Sequence, residues 1–553
     1  MSFLDQIFAK LEASSARTLL TELRDDRAVS VNGRELLAMI AQARAFLATR
    51  NLNKGERVAL LAPNSIRWIA MDLAIMAEGL IVVPLYSRQA PSELVAMMKD
   101  CSPALIVCGD AVLRDDVVNE WRDAPQTVLF DAIFASADLQ SRAGAPALHR
   151  HAESDLVAII YTSGTSGEAK GVMITSGNVG HILHCTSERL DLLMNYRPGP
   201  DRVYQWAPLN FAAAWITTLT SLLRGSSVFL NTDLAKIAGE LRTVAPDYFV
   251  NVPALLERVR RAVDEQLWKT GGMVRLIYTN GKGAYMRKYE NHASLADRVW
   301  LGLANALVFP TIRKKMIGPN LKALICGSAP LNVETQLYFM MLGVPVLQVY
   351  GLTETTAICT MDDPRHVEPG RVGRAIPGIE MKLGEQDEIL VSGPNVFPGY
   401  WNRPAETAKV LHNGWFRTGD QGEVNAAGNW KIVGRIKNLL ILNSGHNIAP
   451  EPIEDEIQAR LPGAQHVVLI GNGRSFLSAI VTGDVRDDQV QSALGAVNAQ
   501  LPHYKQVRAF HISAEPFTIE NGLLTANGKL KRDLIAQKFR SEIEEIYRVK
   551  QAV

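Results

Sequence analysis

The sequence Tyr161-Thr-Ser-Gly-Thr-Ser-Gly-Glu-Ala-Lys-Gly171 follows directly after the apolar run Leu156-Val-Ala-Ile-Ile160. The run has the composition of a buried strand. The backbone N–H groups and hydroxyls of the following loop suit a phosphate chain, and Lys170 adds a cation. Two residues separate Gly167 from Lys170, so this is not a Walker loop. The stretch therefore predicts an anion site after a strand, and a surface turn is the alternative. The candidate contacts are Thr162, Ser163, Gly164, Thr165, Ser166, Gly167 and Lys170.

Strand-like and helix-like segments alternate through most of the chain. Runs such as Val58-Ala-Leu-Leu-Ala62 and Val344-Pro-Val-Leu-Gln-Val349 are separated by segments of helical period such as 34–49. This pattern is typical of α/β proteins, in which apolar strands are covered by helices on both faces. Ligands of such sheets bind where the carboxyl ends of the strands meet loops. The loops after residues 160 and 349 lie at such ends.

The length predicts more than one domain, because 553 residues exceed the roughly 250–300 at which a single core stops growing. The amino-acid composition changes after Gly414, where Gly, Asn and Asp become frequent. We expect a large N-terminal α/β domain over 1–433, with several sheets packed with helices. A small C-terminal α+β domain is expected over 434–553.

Composition excludes several classes of function. A net charge of +1 provides no field that would hold a nucleic acid. The N-terminus has neither a basic region nor a small-residue cleavage site, and no apolar run is long enough to span a membrane. The five cysteines are odd in number and widely spaced, as in reduced proteins. These features predict a soluble cytoplasmic protein.

Four further motifs follow the loop in order: Tyr350-Gly-Leu-Thr-Glu-Thr355, Thr418-Gly-Asp420, Gly434-Arg-Ile-Lys437 and Asn527-Gly-Lys529. Together with the loop they resemble the superfamily of acyl-CoA synthetases, adenylation domains and luciferases. Within it they are similar to bacterial long-chain fatty acid–CoA ligases. The resemblance covers nearly the whole chain and implies an adenylate-forming fold whose small C-terminal domain rotates as a lid.

The motif at 350–355 contains an aromatic ring that can stack on adenine, a hydroxyl and a carboxylate that suits Mg²⁺. By resemblance, Tyr350 and Gly351 contact the nucleotide of ATP, Thr353 a phosphate, and Glu354 the Mg²⁺ ion. Taken alone, Glu354 is an ordinary charge at a helix start. The resemblance also places an upstream loop on the other side of adenine: Gly327, Ser328, Ala329 and Pro330.

The later motifs supply charged groups. Asp420 can accept hydrogen bonds from two ribose hydroxyls, although Gly-Asp is also an ordinary turn. By resemblance, Arg435 reaches the ribose or phosphates and Lys437 is the hinge residue. Lys529 follows an Asn-Gly turn and would otherwise be an exposed lysine. The resemblance makes Lys529 the catalytic lysine that bridges the substrate carboxylate and the α-phosphate.

The segment Trp206-Ala-Pro-Leu-Asn-Phe-Ala-Ala-Ala-Trp215 matches the part of this superfamily that lines the acid pocket. Phe211 stands where many acyl-CoA ligases have His, which leaves its gating role open. Ala212 stands where enzymes for amino acids have Asp, and a pocket without that charge disfavours an α-ammonium group. We therefore predict a substrate pocket that includes Phe211, Ala212 and Trp215.

Two other stretches favour a fatty acid. Asn251-Val-Pro-Ala-Leu-Leu-Glu-Arg258 and Val308-Phe-Pro-Thr-Ile-Arg-Lys-Lys-Met-Ile-Gly318 resemble elements of long-chain ligases. The second carries Arg313, Lys314 and Lys315 beside apolar residues. These cations could touch the inner face of an anionic membrane, and a solvated helix face is the alternative.

The acceptor of the acyl group is predicted to be coenzyme A. Residues 436–450 resemble the ligase segment near the pantetheine tunnel, where Gly445 would let the backbone approach the thiol arm. Delivery to an acyl carrier protein is the rival within enzymes. An aryl-acid ligase and an inactive nucleotide-binding homologue are further alternatives.

Overall fold

The computed structural model describes residues 1–24, 27–135, 147–163, 169–197, 199–270, 272–318, 320–525 and 528–551. The chain divides into two compact units. The larger unit comprises Met1–Met381 and Val391–Phe416, and the smaller unit comprises Lys382–Leu390 and Arg417–Val553. The boundary near Gly434 that we expected for a separate domain stays a prediction.

The strands follow one another along the chain in this order. They are β1 (Thr18–Arg24), β2 (Arg27–Asn32), β3 (Arg57–Leu61), β4 (Ile81–Leu85), β5 (Leu105–Cys108), β6 (Thr127–Leu129), β7 (Leu156–Ser163), β8 (Ala169–Thr175), β9 (Arg202–Gln205), β10 (Ser227–Asn231), β11 (Tyr248–Asn251), β12 (Ala323–Cys326), β13 (Val346–Tyr350), β14 (Thr360–Met361), β15 (Arg374–Ala375), β16 (Glu380–Leu383), β17 (Glu388–Ser392), β18 (Leu411–His412), β19 (Trp415–Val424), β20 (Trp430–Arg435), β21 (Leu440–Ile441), β22 (Asn447–Ile448), β23 (Ala464–Ile470), β24 (Leu477–Gly483) and β25 (Val507–Ser513).

The α-helices of the described residues are given next, in chain order. They are α1 (Phe3–Ala13), α2 (Gly33–Ala48), α3 (Ile66–Ala77), α4 (Pro91–Cys101), α5 (Ala111–Glu120), α6 (Phe130–Phe134), α7 (Ser176–Leu193), α8 (Ala212–Arg224), α9 (Ile237–Val244), α10 (Pro253–Thr270), α11 (Gly272–Tyr289), α12 (Leu295–Leu307), α13 (Phe309–Ile317), α14 (Val333–Met341), α15 (Pro404–Val410), α16 (Glu451–Ala459), α17 (Asp487–Asn498), α18 (Arg532–Lys538) and α19 (Arg540–Gln551).

The larger unit is built on two sheets. One has six strands in the order β6-β5-β3-β4-β7-β8, and the other has nine in the order β15-β14-β13-β12-β11-β9-β10-β1-β2. The strands β3, β4 and β5 are almost completely buried, as expected for parallel strands covered on both faces. The α/β class predicted from the alternation of apolar runs and helical periods is confirmed.

The smaller unit has a core of its own. Strands β23, β24 and β25 form a three-stranded sheet, and β21 pairs with β22. Apolar residues of this sheet pack against helices α16 and α17. Val467 of β23, Ile457 of α16 and Val497 of α17 belong to this core. Strand β20 also pairs with β19 in this unit, from Asp420 opposite Arg435 to Val424 opposite Trp430. The α+β character predicted for the C-terminal part is therefore present in this unit.

Sequence signals for helix starts agree with the observed boundaries. Helix α2 begins after Asn32, whose side chain and that of Glu35 satisfy each other's backbone N–H groups in a capping box. Helix α7 begins directly after β8 through the same arrangement of Thr175 and Asn178. Among the described residues, no helix combines the length and the apolar composition needed to cross a bilayer.

One buried contact joins helices α3 and α8. Trp215 on α8 is almost fully buried, and its indole Nε1 donates a hydrogen bond of 3.0 Å to Oδ2 of Asp72 on α3. Burial of this carboxyl raises its pKa to about 7, and the hydrogen bond from Trp215 only partly opposes that effect. Asp72 therefore exchanges its proton near neutral pH inside the core.

The stability of the larger unit is expected to depend on the ionisation of Asp72. A folded-state pKa near 7 against about 4 in the unfolded chain means that stability falls as pH rises from about 4 to about 7. Asp72→Asn keeps an acceptor for Trp215 and removes this loss. At about 1.4 kcal/mol per pKa unit, the variant should gain up to about 4 kcal/mol relative to wild type as the pH rises from about 3 to about 8.

Denaturant unfolding at several pH values measures this effect. Asp131→Asn is the matched control, because its side chain is 77% exposed. Parallel pH profiles for wild type and Asp72→Asn would contradict the prediction.

Candidate active site

The carboxyl ends of four parallel strands of the nine-stranded sheet lie side by side. Strand β11 pairs in parallel with β9 and β12, and β12 pairs in parallel with β13. The register aligns Asn251 with Cys326 and Cys326 with Gln348. The loops that follow β12 and β13 contain the predicted nucleotide contacts. The sheet thus brings Gly327–Pro330 and Tyr350–Thr355 to one edge, as the α/β pattern indicated.

The backbone at this edge is tightly packed. Gly327 N–H donates to the carbonyl of Asn251 at 3.2 Å, and Trp206 Nε1 donates to the carbonyl of Val250 at 2.8 Å. A Cβ on Gly351 would come within 2.2 Å of the carbonyl oxygen of Ala357. Glycine is therefore required at 351 for the chain to turn back after β13.

The short 3₁₀ turn Thr353–Thr355 carries the predicted phosphate and metal contacts. Thr355 Oγ1 accepts from Leu352 N–H at 2.9 Å, and Phe397 N–H donates to the carbonyl of Glu354 at 2.9 Å. Thr356 Oγ1 donates to the carbonyl of Asn395 at 2.9 Å. These bonds hold the turn against the segment 395–397, while Tyr350 is buried and Thr353 and Glu354 are half-buried.

Tyr400 connects two of the predicted site residues. Its hydroxyl donates to Oε1 of Glu354 at 2.8 Å, and its ring lies 5.3 Å from the ammonium of Lys170. Lys170 Nζ also donates to Oε2 of Glu406 at 2.6 Å. Two backbone bonds place Tyr400 here, because the segment 399–401 pairs with β8: Trp401 N–H donates to Gly171 and Met173 N–H to Gly399. Charges of alternating sign therefore surround one tyrosine.

Lys170 holds the Glu406 carboxyl in its ionised form. The hydrogen bond from Lys170, followed by that from Lys409, lowers the pKa of Glu406 to about 2. Lys170 is thus paired with a carboxylate at neutral pH, and a phosphate that binds Lys170 must compete with this partner.

The phosphate loop is described only at its ends. Strands β7 and β8 are antiparallel neighbours, with Thr162 opposite Lys170 and Tyr161 opposite Gly171. Tyr161 is not part of the loop's donor set, since its hydroxyl donates to Asp100 at 2.7 Å. Ser163 ends β7, and the predicted contacts Gly164, Thr165, Ser166 and Gly167 lie outside the described residues.

Asp420 and Arg435 face each other in the smaller unit. They are opposite one another in the antiparallel pair β19 and β20, and Arg435 Nε lies 2.9 Å from Oδ1 of the buried Asp420. Thr418 Oγ1 donates to the carbonyl of Ile389 at 2.7 Å and accepts from Asp420 N–H at 3.1 Å. The motif Thr418-Gly-Asp420 therefore forms a braced turn that presents a carboxylate beside a guanidinium.

Lys437 follows this pair and has an unusual electrostatic environment. Although much of the residue is exposed, partial removal of its amine from water lowers the pKa of Lys437 to about 8. The charges of Arg435 and Lys529 act in the same direction, and Asp420 opposes them. The structure thus brings Arg435, Lys437 and Lys529 into one cluster of positive charge.

Hydrogen bonds join residues on either side of positions 526 and 527, which lie outside the described residues, so the tight turn at the Asn-Gly pair stays a prediction. Thr525 N–H donates to the carbonyl of Lys529 at 2.8 Å, and Gly528 N–H donates to the carbonyl of Thr525 at 2.8 Å. The Lys529 side chain is exposed. Gly445 lies in the turn between β21 and β22 with a φ of +81°, which favours glycine.

The predicted pocket residues lie at the start of α8. Phe211 is half-buried, and its ring centroid is 5.6 Å from that of Tyr86. Ala212 is buried beside it. Trp215 belongs to the core contact with Asp72 described above. Their role in binding an acid stays a prediction.

Sequence reasoning missed three residues of this region. Tyr400 and Glu406 lie in Gly399-Tyr-Trp and at the start of α15, and no motif marked them. Asn251 is the first residue of the stretch 251–258 that resembles long-chain ligases, and that resemblance predicts no role for it. It is buried at the end of β11, and its Oδ1 accepts no hydrogen bond within the described residues. A polar residue at the carboxyl end of a parallel strand is the signal that would have found Asn251.

Known protein families match most of the chain. The model of the AMP-binding enzyme family matches residues 10–401, and that of the AMP-binding enzyme C-terminal domain matches residues 437–551. The chain belongs to the AMP-binding enzyme family. The predicted relationship to adenylate-forming enzymes is therefore confirmed.

Individual relatives agree with this assignment. The long-chain-fatty-acid–CoA ligase FadD15 of Mycobacterium bovis is 26% identical, over 93% of this chain and 91% of its own length. The putative fatty-acid–CoA ligase fadD11 of Mycobacterium tuberculosis is 30% identical, over 78% of this chain and 81% of its own. The crystal structure of ATP-bound MatB from Rhodopseudomonas palustris has a TM-score of 0.73 at 23% identity, covering 98% of this chain and 99% of that one. It shows the same fold.

Tyr400→Phe should slow the reaction, given the metal-binding role that the resemblance implies for Glu354. The variant keeps the ring near Lys170 and removes the hydrogen bond that orients the carboxylate. We expect kcat to fall about 10-fold, the equivalent of one hydrogen bond to a charged group, with a higher requirement for Mg²⁺. Steady-state pyrophosphate release at varied Mg²⁺ measures both. Tyr196→Phe, at a tyrosine that is 70% exposed, is the control; an unchanged Mg²⁺ dependence would assign Tyr400 a purely structural role.

The pKa of Lys437 predicts its reactivity. With a pKa of about 8, half of its amine is uncharged near that pH, so acetic anhydride should modify it faster at pH 8 than exposed Lys431 of β20. Lys529→Met removes a neighbouring positive charge, raises the pKa of Lys437 and should slow its modification. Pulsed labelling followed by peptide mass spectrometry gives both rates. Equal rates in wild type and Lys529→Met would show that the two lysines do not interact.

Proposed function

We propose that this protein is an ATP-dependent, AMP-forming ligase that activates a long-chain or medium-chain fatty acid and transfers the acyl group to coenzyme A. The observation that carries the proposal is the contact of Tyr400 with both Glu354 and Lys170, because it joins the two motifs that would hold a triphosphate and its metal ion. The family and the names of its fatty-acid–CoA ligase relatives support it.

The sheet edge supplies the nucleotide contacts in this proposal. Tyr350 would stack on adenine, and the loop at 327–330 would cover its other side. Asn251 supports an adenine site, since its buried Oδ1 has no donor among the described residues. Asp420 would accept hydrogen bonds from the ribose, and Arg435, already paired with it, would keep that carboxylate ionised and oriented.

The residues at the triphosphate fit a magnesium ion. Glu354 is half-buried, Tyr400 occupies only its Oε1, and Thr353 adds a hydroxyl beside it. An oxygen-only donor set of this kind suits Mg²⁺, which keeps several of its own waters and phosphate ligands. When bound, the ion would neutralise charge on the phosphates. The chain's own part is to orient Glu354 through Tyr400 and to release Lys170 from Glu406 toward phosphate.

The first proposed step forms the acyl adenylate. A carboxylate oxygen of the acid bonds to the α-phosphorus while the bond from that phosphorus to the bridging oxygen of pyrophosphate breaks. Two anions must approach for this to happen. Lys529 of the smaller unit would neutralise them, which requires the unit to bring its exposed turn to the reacting atoms.

The second proposed step transfers the acyl group. The thiol sulfur bonds to the acyl carbon, AMP departs with the electrons of the broken bond between that carbon and the phosphate oxygen of the mixed anhydride, and the thiol proton passes to solvent. Rotation of the smaller unit about Lys437 would bring Gly445 toward the pantetheine arm. Free coenzyme A is the proposed acceptor, and an acyl carrier protein is the alternative.

The apolar character of the pocket segment favours a fatty acid over an amino acid. Ala212 is buried and provides no counter-charge for an ammonium group. Phe211 and Tyr86 add aromatic surface at the same place. A charged or strongly polar acid would lose hydration here without compensation.

Pyrophosphate release across a panel of acids tests the proposal. The panel runs from acetate to oleate and includes aryl acids and amino acids, each with and without coenzyme A. We expect turnover with medium-chain and long-chain acids, and acyl-CoA in the mass spectrum when coenzyme A is present. Lys529→Ala should lower adenylation by about 100-fold or more, the scale of one strong contact to transition-state charge.

Lys531→Ala is the matched control, since it removes a neighbouring cation of the same segment. Turnover only with a phosphopantetheine carrier protein would favour the alternative acceptor. Near-normal pyrophosphate exchange by Lys529→Ala, or no release with any acid, would overturn the proposed mechanism.

A further inference from the structure

Helix α12 exposes an apolar side to solvent. Leu295, Val299, Leu303 and Leu307 recur every four residues, so they lie on one side of the helix, and their exposures are 77%, 63%, 40% and 60%. The other exposed residues of the same sector are small and apolar: Ala296, Gly302 and Ala306. At about 100° per residue, these positions span a continuous sector of about 140°. A solvent-facing helix normally has polar residues there.

The opposite side of α12 is firmly anchored, so this exposure is a fixed property of the helix. Ala304 is fully buried, and a Cβ on Gly281 of α11 would lie 2.5 Å from the Cβ of Ala304. Arg287 of α11 donates to both carboxylate oxygens of Asp297 on α12. Close packing and an ion pair therefore fix the rotation of α12 on α11.

Positive charge is concentrated around this apolar sector. Residues 272–318 contain eight Lys and Arg and two Asp and Glu, a net charge of +6, whereas the whole chain carries +1. Lys288, Arg298 and Lys314 are exposed and have no carboxylate partner within the described residues. Arg298 lies next to the apolar sector on the helix surface, about 60° from Leu295. An apolar helix side bordered by cations is typical of interfacial helices on anionic bilayers.

The run 308–318 does not form this exposed apolar surface. Val308, Phe309 and Ile312 are buried, and Arg313 donates to the carbonyl of Leu321 at 3.0 Å. In this run, which resembles an element of long-chain ligases, these three apolar side chains belong to the core. The exposed apolar surface lies on the helix before it.

We propose that the sector Leu295–Leu307 of α12 inserts into the surface of an anionic lipid bilayer, with the surrounding lysines and arginines on its headgroups. The charges favour a bilayer over a second copy of this chain, because a symmetric dimer through this sector would bring together two copies of the segment 272–318, each with a net charge of +6. The inference does not depend on which acid the protein activates. A bilayer would also be a local source of long-chain acids.

Vesicle flotation tests the docking surface in the full-length protein. We expect binding to vesicles of phosphatidylcholine mixed with phosphatidylglycerol, little binding to phosphatidylcholine alone, and weakening by salt. The double substitution Val299→Glu and Leu307→Glu should reduce the bound fraction about 10-fold or more. Val112→Glu is the matched control, because Val112 of α5 is 70% exposed in the same unit.

A fluorescent label reports insertion directly. All five native cysteines are buried, so Leu303→Cys can be labelled selectively with an environment-sensitive dye. Its emission should shift to the blue with anionic vesicles, and that of labelled Val112→Cys should not. Pyrophosphate release with a short water-soluble acid, without vesicles, should be unchanged in the double variant, which separates loss of docking from loss of catalysis.

Two outcomes would overturn the inference. One is equal flotation of wild type and the double variant. The other is a concentration-dependent dimer, seen by light scattering and abolished by the double substitution, which would assign the sector to a second copy.

Discussion

The parallel register of β11, β12 and β13 fixes where each loop of the candidate site begins. These strands come from positions 248, 323 and 346, so a long stretch of chain separates the first from the others. Their pairing aligns Asn251 with Cys326 and Cys326 with Gln348, so the loops that contain Gly327 and Gly351 begin at the same edge. A slip of one residue would turn every side chain of a strand to the other face. The buried apolar residues on both faces of these strands therefore specify the site geometry as well as the stability.

Electrostatic pairing continues from this edge to strand β8. Glu354 is oriented by Tyr400, Tyr400 lies against Lys170, and Lys170 is paired with Glu406. Glu354, Lys170 and Glu406 each have a hydrogen-bond partner, which offsets the free-energy cost of partly removing their charges from water. A triphosphate would exchange one carboxylate for phosphate oxygens at Lys170. During such an exchange the Lys170 ammonium keeps a negatively charged partner. The affinity for the triphosphate then depends on how much more strongly Lys170 binds phosphate than it binds Glu406.

Local sequence predicted the elements better than it predicted the contacts. The apolar runs and helical periods identified β3, β13 and α2 within one or two residues, because burial and period act locally. The roles of Tyr400 and Glu406 could not be predicted, because pairing of the segment 399–401 with β8 brings them to Lys170 across more than two hundred residues of chain. The sequence predicts Trp215 as a pocket residue and gives no sign of its hydrogen-bond partner Asp72, which lies 143 residues away. Long-range pairing carries no local signature.

The smaller unit has the opposite electrostatic character to the balanced cluster around Tyr400. Arg435, Lys437 and Lys529 act on one another, and Asp420 is the nearby carboxylate that most strongly offsets them at Lys437. Partial removal of the amine from water lowers the pKa of Lys437, and the like charges of Arg435 and Lys529 act in the same direction, which means that the protonated amine is held at a cost in free energy. An anion placed among these cations removes that cost. The proposed role of Arg435, Lys437 and Lys529 in binding a phosphate or carboxylate therefore agrees with the electrostatics at Lys437.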